Sequence, residues 1–525
     1  MSESGGNAGG RGGSGSGASG SGRGNSGRGK GGPRDSSQRN AQGRERNRPS
    51  QRSFTENAPA QRTRRADPAR LVAFEVLRAV AAEDAYANLV LPSRIRHHGL
   101  DKRDAGFATE LSYGALRGQG TYDAILARCV DRPLNELDPA ILDALRIGTH
   151  QLMAMRVPAH AALDQTVGLA RAVIGAGPSA LINAVLRKVS ARTLEEWLEL
   201  LLSDETDETR IASIRYAHPE WIVRALRQSL VAHGRPVSEI NDLLDADNAA
   251  PVVNLVALPG LGSLDEALEG GATPGELVEG SALSSGGDLG RLASVREGST
   301  RVQDVGSQLV ARAMAAVDLG TGSDGKGERW LDLCAGPGGK AALLGALARQ
   351  QGATLLANEP APHRAKLVRQ ALAAVPHETW HVRTGDGREV GAEMAESFDR
   401  VLVDAPCTGL GALRRRPESR WRRTPKDLTD LGPLQRELLK SALAAVRPGG
   451  VVAYVTCSPH PAETTAVVSD VLRKRDDLEL LDAGAVLDGV SLTGHLDAGH
   501  EHTAQLWPHI HSTDAMFLAL IRKKA

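Results

Sequence analysis

Cysteine is scarce: four residues in 525, too few for a disulfide framework in a chain of this length. No uninterrupted apolar run approaches the roughly 18 residues of a membrane span. The first thirty residues hold no apolar h-region, so neither a spanning helix nor a secretory signal is expected. Net charge is missing too, with 63 Lys and Arg against 63 Asp and Glu. A reducing cytoplasm is the expected compartment; no membrane and no metal are called for, and the chain is read as a monomer. What it has is length, room for two to four domains at roughly 100–200 residues each.

The zero charge is a sum over unlike blocks. Residues 1–66 carry thirteen Arg or Lys against four acids, and sixteen of the first 43 residues are Gly. Such a segment has almost nothing apolar to bury and is expected to be a disordered basic tail with a weak, salt-sensitive attraction for RNA phosphates. From 67 to 192 apolar residues recur at helical spacing (Leu71, Phe74, Val76 and Leu77; Phe107, Leu111, Ala115 and Leu116) with no convincing strand, predicting an all-α domain. A mixed α/β subdomain is expected over 205–300, helical at EWIVRALRQSLVAHG and strand-like at PVVNLVAL. From 301 to 525 short apolar runs alternate with helical patterns, as a doubly wound, Rossmann-type α/β sheet requires.

In that last part, RWLDLCAGPGGK reads as a strand followed by a Gly-rich turn and a helix from about Gly339. Such a turn lets backbone approach a ligand at a helix N-terminus. It is not a Walker A loop, because no Ser or Thr follows Lys340. The next strand, ATLLAN, ends at Glu359, placed to accept from ribose hydroxyls; TWHVRT leads to Asp386, which can accept from an adenine amino group; FDRVLV ends at Asp404. Polar groups at successive strand ends suit an adenosyl cofactor, NAD or S-adenosyl-L-methionine.

Two cysteines distinguish those cofactors. Cys407 follows the fourth strand in VLVDAPCTGLG and Cys457 the fifth in VVAYVTCSPHPAE. An isolated Cys is ordinarily a buried small hydrophobe, but two at neighbouring strand ends facing a cofactor fit nucleophilic chemistry. C5 of cytosine becomes nucleophilic once a thiolate adds to C6, and Asp404 could hold N3 protonated during that addition. The base must be unstacked, favouring single-stranded or loop RNA. Chemistry alone leaves open which thiol attacks.

LDLCAGPGGK, DAPCTGLG and YVTCS, in this order, resemble the S-adenosylmethionine-dependent RNA cytosine-C5 methyltransferase family. QDVGSQLVARA, HSTDAMFLAL and the helical 67–192 segment, itself similar to the antitermination factor NusB, resemble the ribosomal RNA subgroup called RsmB or Sun. The resemblance implies methylation of a cytosine C5 in ribosomal RNA, the small-subunit RNA above all, through a covalent Cys–C6 intermediate. It implies a cofactor loop of Cys334, Ala335, Gly336, Pro337, Gly338, Gly339 and Lys340, with Glu359 at the ribose, Asp386 at the adenine side, and Asp404. It also implies that Cys457 attacks C6, that Cys407 helps release product, and that Lys340 lies near the nucleophile. The chain departs from the family after the TCS motif, where Pro459, His460 and Pro461 intervene and Thr464 follows Glu463, and at Ala515-Met516, where Gly-Phe is usual.

The stretch LRRRPESRWRR sets Arg414, Arg415, Arg416, Arg420, Arg422 and Arg423 around Trp421. These are expected to bind phosphates and stack on a base. The helical domain is expected to add to RNA docking by analogy with NusB. Rival readings keep the chemistry but act on transfer RNA or another ribosomal site, or make the chain a non-catalytic RNA-binding or assembly factor. An NAD-dependent oxidoreductase would leave both strand-end cysteines without a role.

Overall fold

The computed structural model describes residues 66–320 and 326–525; the basic tail read over 1–66 lies, but for its last residue, outside them. Helices follow at Pro68–Glu83, Ala87–His97, Lys102–Arg117, Gln119–Cys129, Pro139–Met153, Ala159–Val173 and Ala176–Val189. The first is started by Asp67, whose carboxylate accepts from the Arg70 N–H at 2.9 Å with Pro68 in the first turn, as helix N-termini favour. Its apolar spacing buries Leu71, Phe74, Val76 and Leu77 against Leu111, Ile125, Leu145 and Leu169 of its neighbours. Each such side chain contributes about 1.5–3 kcal/mol relative to exposure. No described residue before Asn254 is in a strand, and no described helix is long and apolar enough to cross a membrane.

Helices Glu220–Ala232 and Ile240–Asn248 pack Ile222, Leu226, Leu230 and Leu244 onto Leu410, Leu413 and Trp507. A small antiparallel sheet follows, built from β1 (Asn254–Ala257), β2 (Thr273–Pro274), β3 (Ser281–Leu283) and β4 (Thr300–Val302) in the order β2-β3-β1-β4. β4 straddles the boundary expected at 300/301, because it pairs with β1 from Leu255↔Val302 to Ala257↔Thr300. The small sheet therefore closes inside what the sequence assigns to the next domain.

The C-terminal part is a doubly wound sheet. Its strands are β5 (Arg329–Asp332), β6 (Thr354–Asn358), β7 (Trp380–Arg383), β8 (Phe398–Asp404), β9 (Val446–Thr456), β10 (Leu478–Leu481), β11 (Gly499–His500), β12 (Thr503–Gln505) and β13 (Phe517–Lys523). The order is β11-β12-β13-β9-β8-β5-β6-β7, with β10 on β13. β5 to β9 run parallel and β13 antiparallel to β9. Alternate residues face opposite layers: Trp330, Leu402, Ala453 and Leu518 enter one core with helices Val305–Ala316 and Gly339–Gln350. Leu331, Val403, Tyr454 and Phe517 enter the other with helix Pro425–Ala445. Strand order reverses between β5 and β8, so their carboxyl ends open the crevice in which such sheets bind ligands.

Candidate functional site

β5 ends in Asp332, and the chain turns through Cys334, Ala335, Gly336, Pro337 and Gly338 into the helix that begins at Gly339. The turn is pinned from β6: the Ala335 N–H donates to Asn358 O at 2.9 Å, and Asn358 Nδ2 donates to Leu333 O at 3.0 Å. Two glycines are required by space. A Cβ on Gly336 would lie 2.1 Å from Glu359 Oε2, and Gly338, at φ +112°, would bring one to 2.4 Å from Ala371 Cβ. Glu359 is buried, accepts from the Ala361 N–H at 3.0 Å, and has Arg364 at 3.6 Å.

Asp332 is fully buried, with the Cys334 backbone N–H beside its carboxylate and no side-chain donor on it. Burial pushes it up to about 7, with Asp404 adding and Lys340 opposing. A glycine turn on a helix N-terminus, a carboxylate beyond β6 and a buried carboxylate without a side-chain donor at the end of β5 fit an adenosyl cofactor carrying hydroxyl and ammonium donors. Asp386 accepts from the Arg388 N–H at 2.9 Å and from its guanidinium, which hold it below its usual range. Its carboxylate is therefore already engaged by Arg388.

At the end of β8, Asp404 Oδ2 accepts from Lys340 Nζ at 2.9 Å. Burial works against the Lys340 ammonium, but Asp404 outweighs it and the proton is held more tightly than usual. Beyond Asp404 and β9 respectively, Cys407 and Cys457 bring their Sγ atoms to 3.4 Å. Either sulfur can donate to the other. The bond between them lowers Cys457, helped by Lys340 against burial and Asp404. The same bond raises Cys407 well above an ordinary thiol, with burial, Cys457 and the Glu463 carboxylate adding to it. The surroundings thus bias Cys457 toward the thiolate and Cys407 away from it. Cys334 is pushed well up by burial, and Cys129 is buried at the end of its helix.

The arginine stretch corrects the sequence reading. Arg420 is fully buried and donates to Arg117 O at 3.1 Å, Ala217 O at 3.4 Å, Asp247 O at 2.8 Å and Asn248 Oδ1 at 2.7 Å. Arg422 donates to Val80 O at 2.7 Å, Asp84 O at 3.0 Å and Ala85 O at 2.5 Å. Arg414 holds Ser512 O at 2.9 Å, Arg415 forks onto Asp514, and Arg416 stacks 5.0 Å over the Tyr86 ring. Arg423 lies 3.8 Å from Asp427. Five of these guanidiniums meet the protein's own carbonyls or carboxylates and that of Arg416 a tyrosine ring, because the loop threads between the helical domain and the sheet. Trp421 keeps an exposed face, 37% accessible, with its ring edge filling the space a Gly120 side chain would need.

Behind the thiols lie further groups that the motifs contain or adjoin without assigning them a role. Glu463, Thr408, Ser458 and Gln435 form a buried polar cluster, and His233 Nε2 lies 2.9 Å from Pro459 O. Their partners lie far away in the chain, so spacing could not reveal them. The Gly411 N–H donates to Cys457 O at 2.9 Å and the Ala515 N–H to Gly411 O at 2.8 Å. The closing segment thereby braces the reactive loop with Ala515 where the family has Gly.

The family model described as 16S rRNA methyltransferase RsmB/F matches residues 323–522, and that of the NusB family matches 67–191. A Mycobacterium tuberculosis protein that carries only the general name methyltransferase is 47% identical, across 90% of this chain and 100% of its own. The ribosomal RNA small subunit methyltransferase B of Pseudomonas putida is 31% identical across 79% of this chain and 91% of its own. That of Vibrio vulnificus is also 31% identical, across 72% and 85%. The crystal structure of PH0851 superposes with a TM-score of 0.72 at 22% identity, covering 87% of this chain and 99% of that one, and shows the shared fold.

Proposed function

Since the chain belongs to the ribosomal RNA small subunit methyltransferase B family and is an S-adenosylmethionine-dependent RNA methyltransferase, we propose that it methylates C5 of a cytosine in small-subunit ribosomal RNA through a covalent bond from Cys457 to C6. The observation that carries this reading is the pair of sulfurs 3.4 Å apart beside the Lys340–Asp404 bridge, a constellation that hydride transfer or bare RNA binding would leave unused.

The loop Cys334 to Lys340 would hold the cofactor with Glu359 on its ribose and Asp386 on its adenine side, and the buried Asp332 would take one of its donors. When bound, S-adenosylmethionine supplies an electrophilic methyl group to the carbon activated by the protein. The Cys457 thiolate adds to C6 of a cytosine that takes up a solvent proton at N3. Asp404, bridged to Lys340, accepts a hydrogen bond from that N3–H, so the ring passes to a neutral enamine; the N3 proton returns to solvent when the product forms. After methylation the C5 proton leaves to a base, the Cys457–C6 pair of electrons returns to sulfur, and C5=C6 re-forms. Cys407 is in contact with that departing sulfur and assists its release.

Cys457→Ala should abolish methyl transfer to RNA while S-adenosylmethionine still binds, and Cys407→Ala should accumulate a protein–RNA adduct visible on a denaturing gel. An active Cys457→Ala enzyme would overturn the mechanism, and an adduct in that variant instead would exchange the two roles. Bisulfite sequencing of ribosomal RNA from cells with and without the gene names the cytosine.

A further inference from the structure

Behind the two sulfurs lies a carboxylate that the proposed chemistry does not use. Glu463 is fully buried, in the short 3-10 turn Pro461–Glu463 that follows the Cys457 loop. Its Oε1 accepts from the Thr408 N–H at 2.8 Å and from Gln435 Nε2 at 3.2 Å, and its Oε2 accepts from Thr408 Oγ1 at 2.5 Å. Thr408 Oγ1 also lies 3.3 Å from Ser458 Oγ, and Gln435 Nε2 donates to Pro406 O at 2.9 Å. Every residue in this cluster other than Glu463 itself either flanks a reactive cysteine or holds one that does: Pro406 and Thr408 bracket Cys407, and Ser458 follows Cys457. The backbone of Glu463 is fixed as well, its carbonyl accepting from Tyr454 Oη of β9 at 2.8 Å.

A buried carboxylate must be matched by donors, and here three are supplied by the segments that carry or face the Cys407 loop. We infer that Glu463 is a positioning residue for the thiol pair: through Thr408 and Ser458 it sets Cys407 against Cys457, and its place on the Cys407 side makes the two sulfurs unequal, leaving Cys457 as the nucleophile. The charges that face the pair from other elements are Asp404 on β8, Lys340 at the start of its helix, Asp514, and the Arg415 guanidinium, which also acts on Cys457. Lys340 stabilises the Cys457 thiolate; Asp404 and Asp514 oppose a thiolate there. Glu463 acts on the Cys407 side, which makes the two sulfurs unequal.

The inference rests on the proposed function for its kinetic arm alone, since thiol alkylation reads the sulfurs without any RNA. In the full-length protein, iodoacetamide labelling followed by peptide mass analysis should modify Cys457 well before Cys407 across neutral pH. Glu463→Gln keeps the size and one acceptor but removes the charge. It should narrow that preference about tenfold, the equivalent of one unit of thiol acidity, and lower kcat with little change in KM for RNA or in S-adenosylmethionine binding. Thr408→Val, which removes the hydroxyl link but leaves Glu463 in place, should narrow the preference in the same direction and guards against a misfolded Glu463 variant. Unchanged labelling order and unchanged kcat in Glu463→Gln would overturn the inference. If Cys457→Ala were active, the proposed function would fail while the labelling result stood.

Discussion

A thiol attacks carbon in proportion to the fraction present as thiolate, so the difference between two chemically identical side chains has to be made by their surroundings. The sulfurs of Cys407 and Cys457 lie 3.4 Å apart, each able to donate to the other, and the ammonium of Lys340 acts on the Cys457 side. Replacing Lys340 by Met should slow alkylation of Cys457 at neutral pH about tenfold and shift its pH profile upward by about one unit. A profile that does not move would remove Lys340 from the thiol chemistry and leave it only as the partner of Asp404. These four residues can be picked out along the chain because each chemistry-bearing side chain follows directly on a strand or a glycine turn. Glu463, Thr408 and Ser458 cannot. Their meaning lies in contacts across fifty or more residues, and Glu463 in isolation is one acid among 63 Asp and Glu.

At the scale of elements the segment from Leu410 to Arg423 is the informative one. Composition shows six arginines and a tryptophan, which reads as a surface for phosphates; burial assigns the guanidiniums to carbonyl oxygens instead. The difference is physical: an arginine near a helix end or turn finds unsatisfied carbonyls, and which carbonyls come near is decided by domain packing that no local pattern encodes. Arg420 satisfies acceptors from three separate segments, so Arg420→Met should cost about 3–5 kcal/mol, the range for breaking a buried charged contact. The expected signs are a lowered melting temperature and new protease cleavage between 414 and 423. A variant that melts and resists protease like the wild type would show that these bonds add nothing to the docking of the helical domain. The alternation of strand and helix from β5 to β9 was readable because each strand is a short apolar run and each crossover carries helical spacing. The small sheet was less so, its β2 and β3 being only two and three residues long.

Across the whole molecule, buried acids couple stability to pH. Burial pushes Asp247 up to about 7 although Arg420 opposes it, and both of its oxygens lack hydrogen-bond partners. A carboxyl that holds its proton more tightly when folded contributes fully below its ordinary value near 4. That contribution is lost as pH rises through about 7. Asp247→Asn carries no such proton, so it should melt close to the wild type at pH 5 and above it at pH 8; an equal difference at both would exclude Asp247 as a source of the pH dependence. The order of the parts, helical domain, mixed subdomain and doubly wound sheet, could be followed in the sequence through changes of periodicity. How tightly they are joined could not. One end of the Leu410–Arg423 segment is bonded to Cys457 and Ala515 through Gly411, and the other to the carbonyls of Val80 and Ala85. The helical domain is consequently the fixed jaw of a caliper whose second jaw is the thiol pair. Any RNA that engages both must bring its reacting base to a distance the protein has already set.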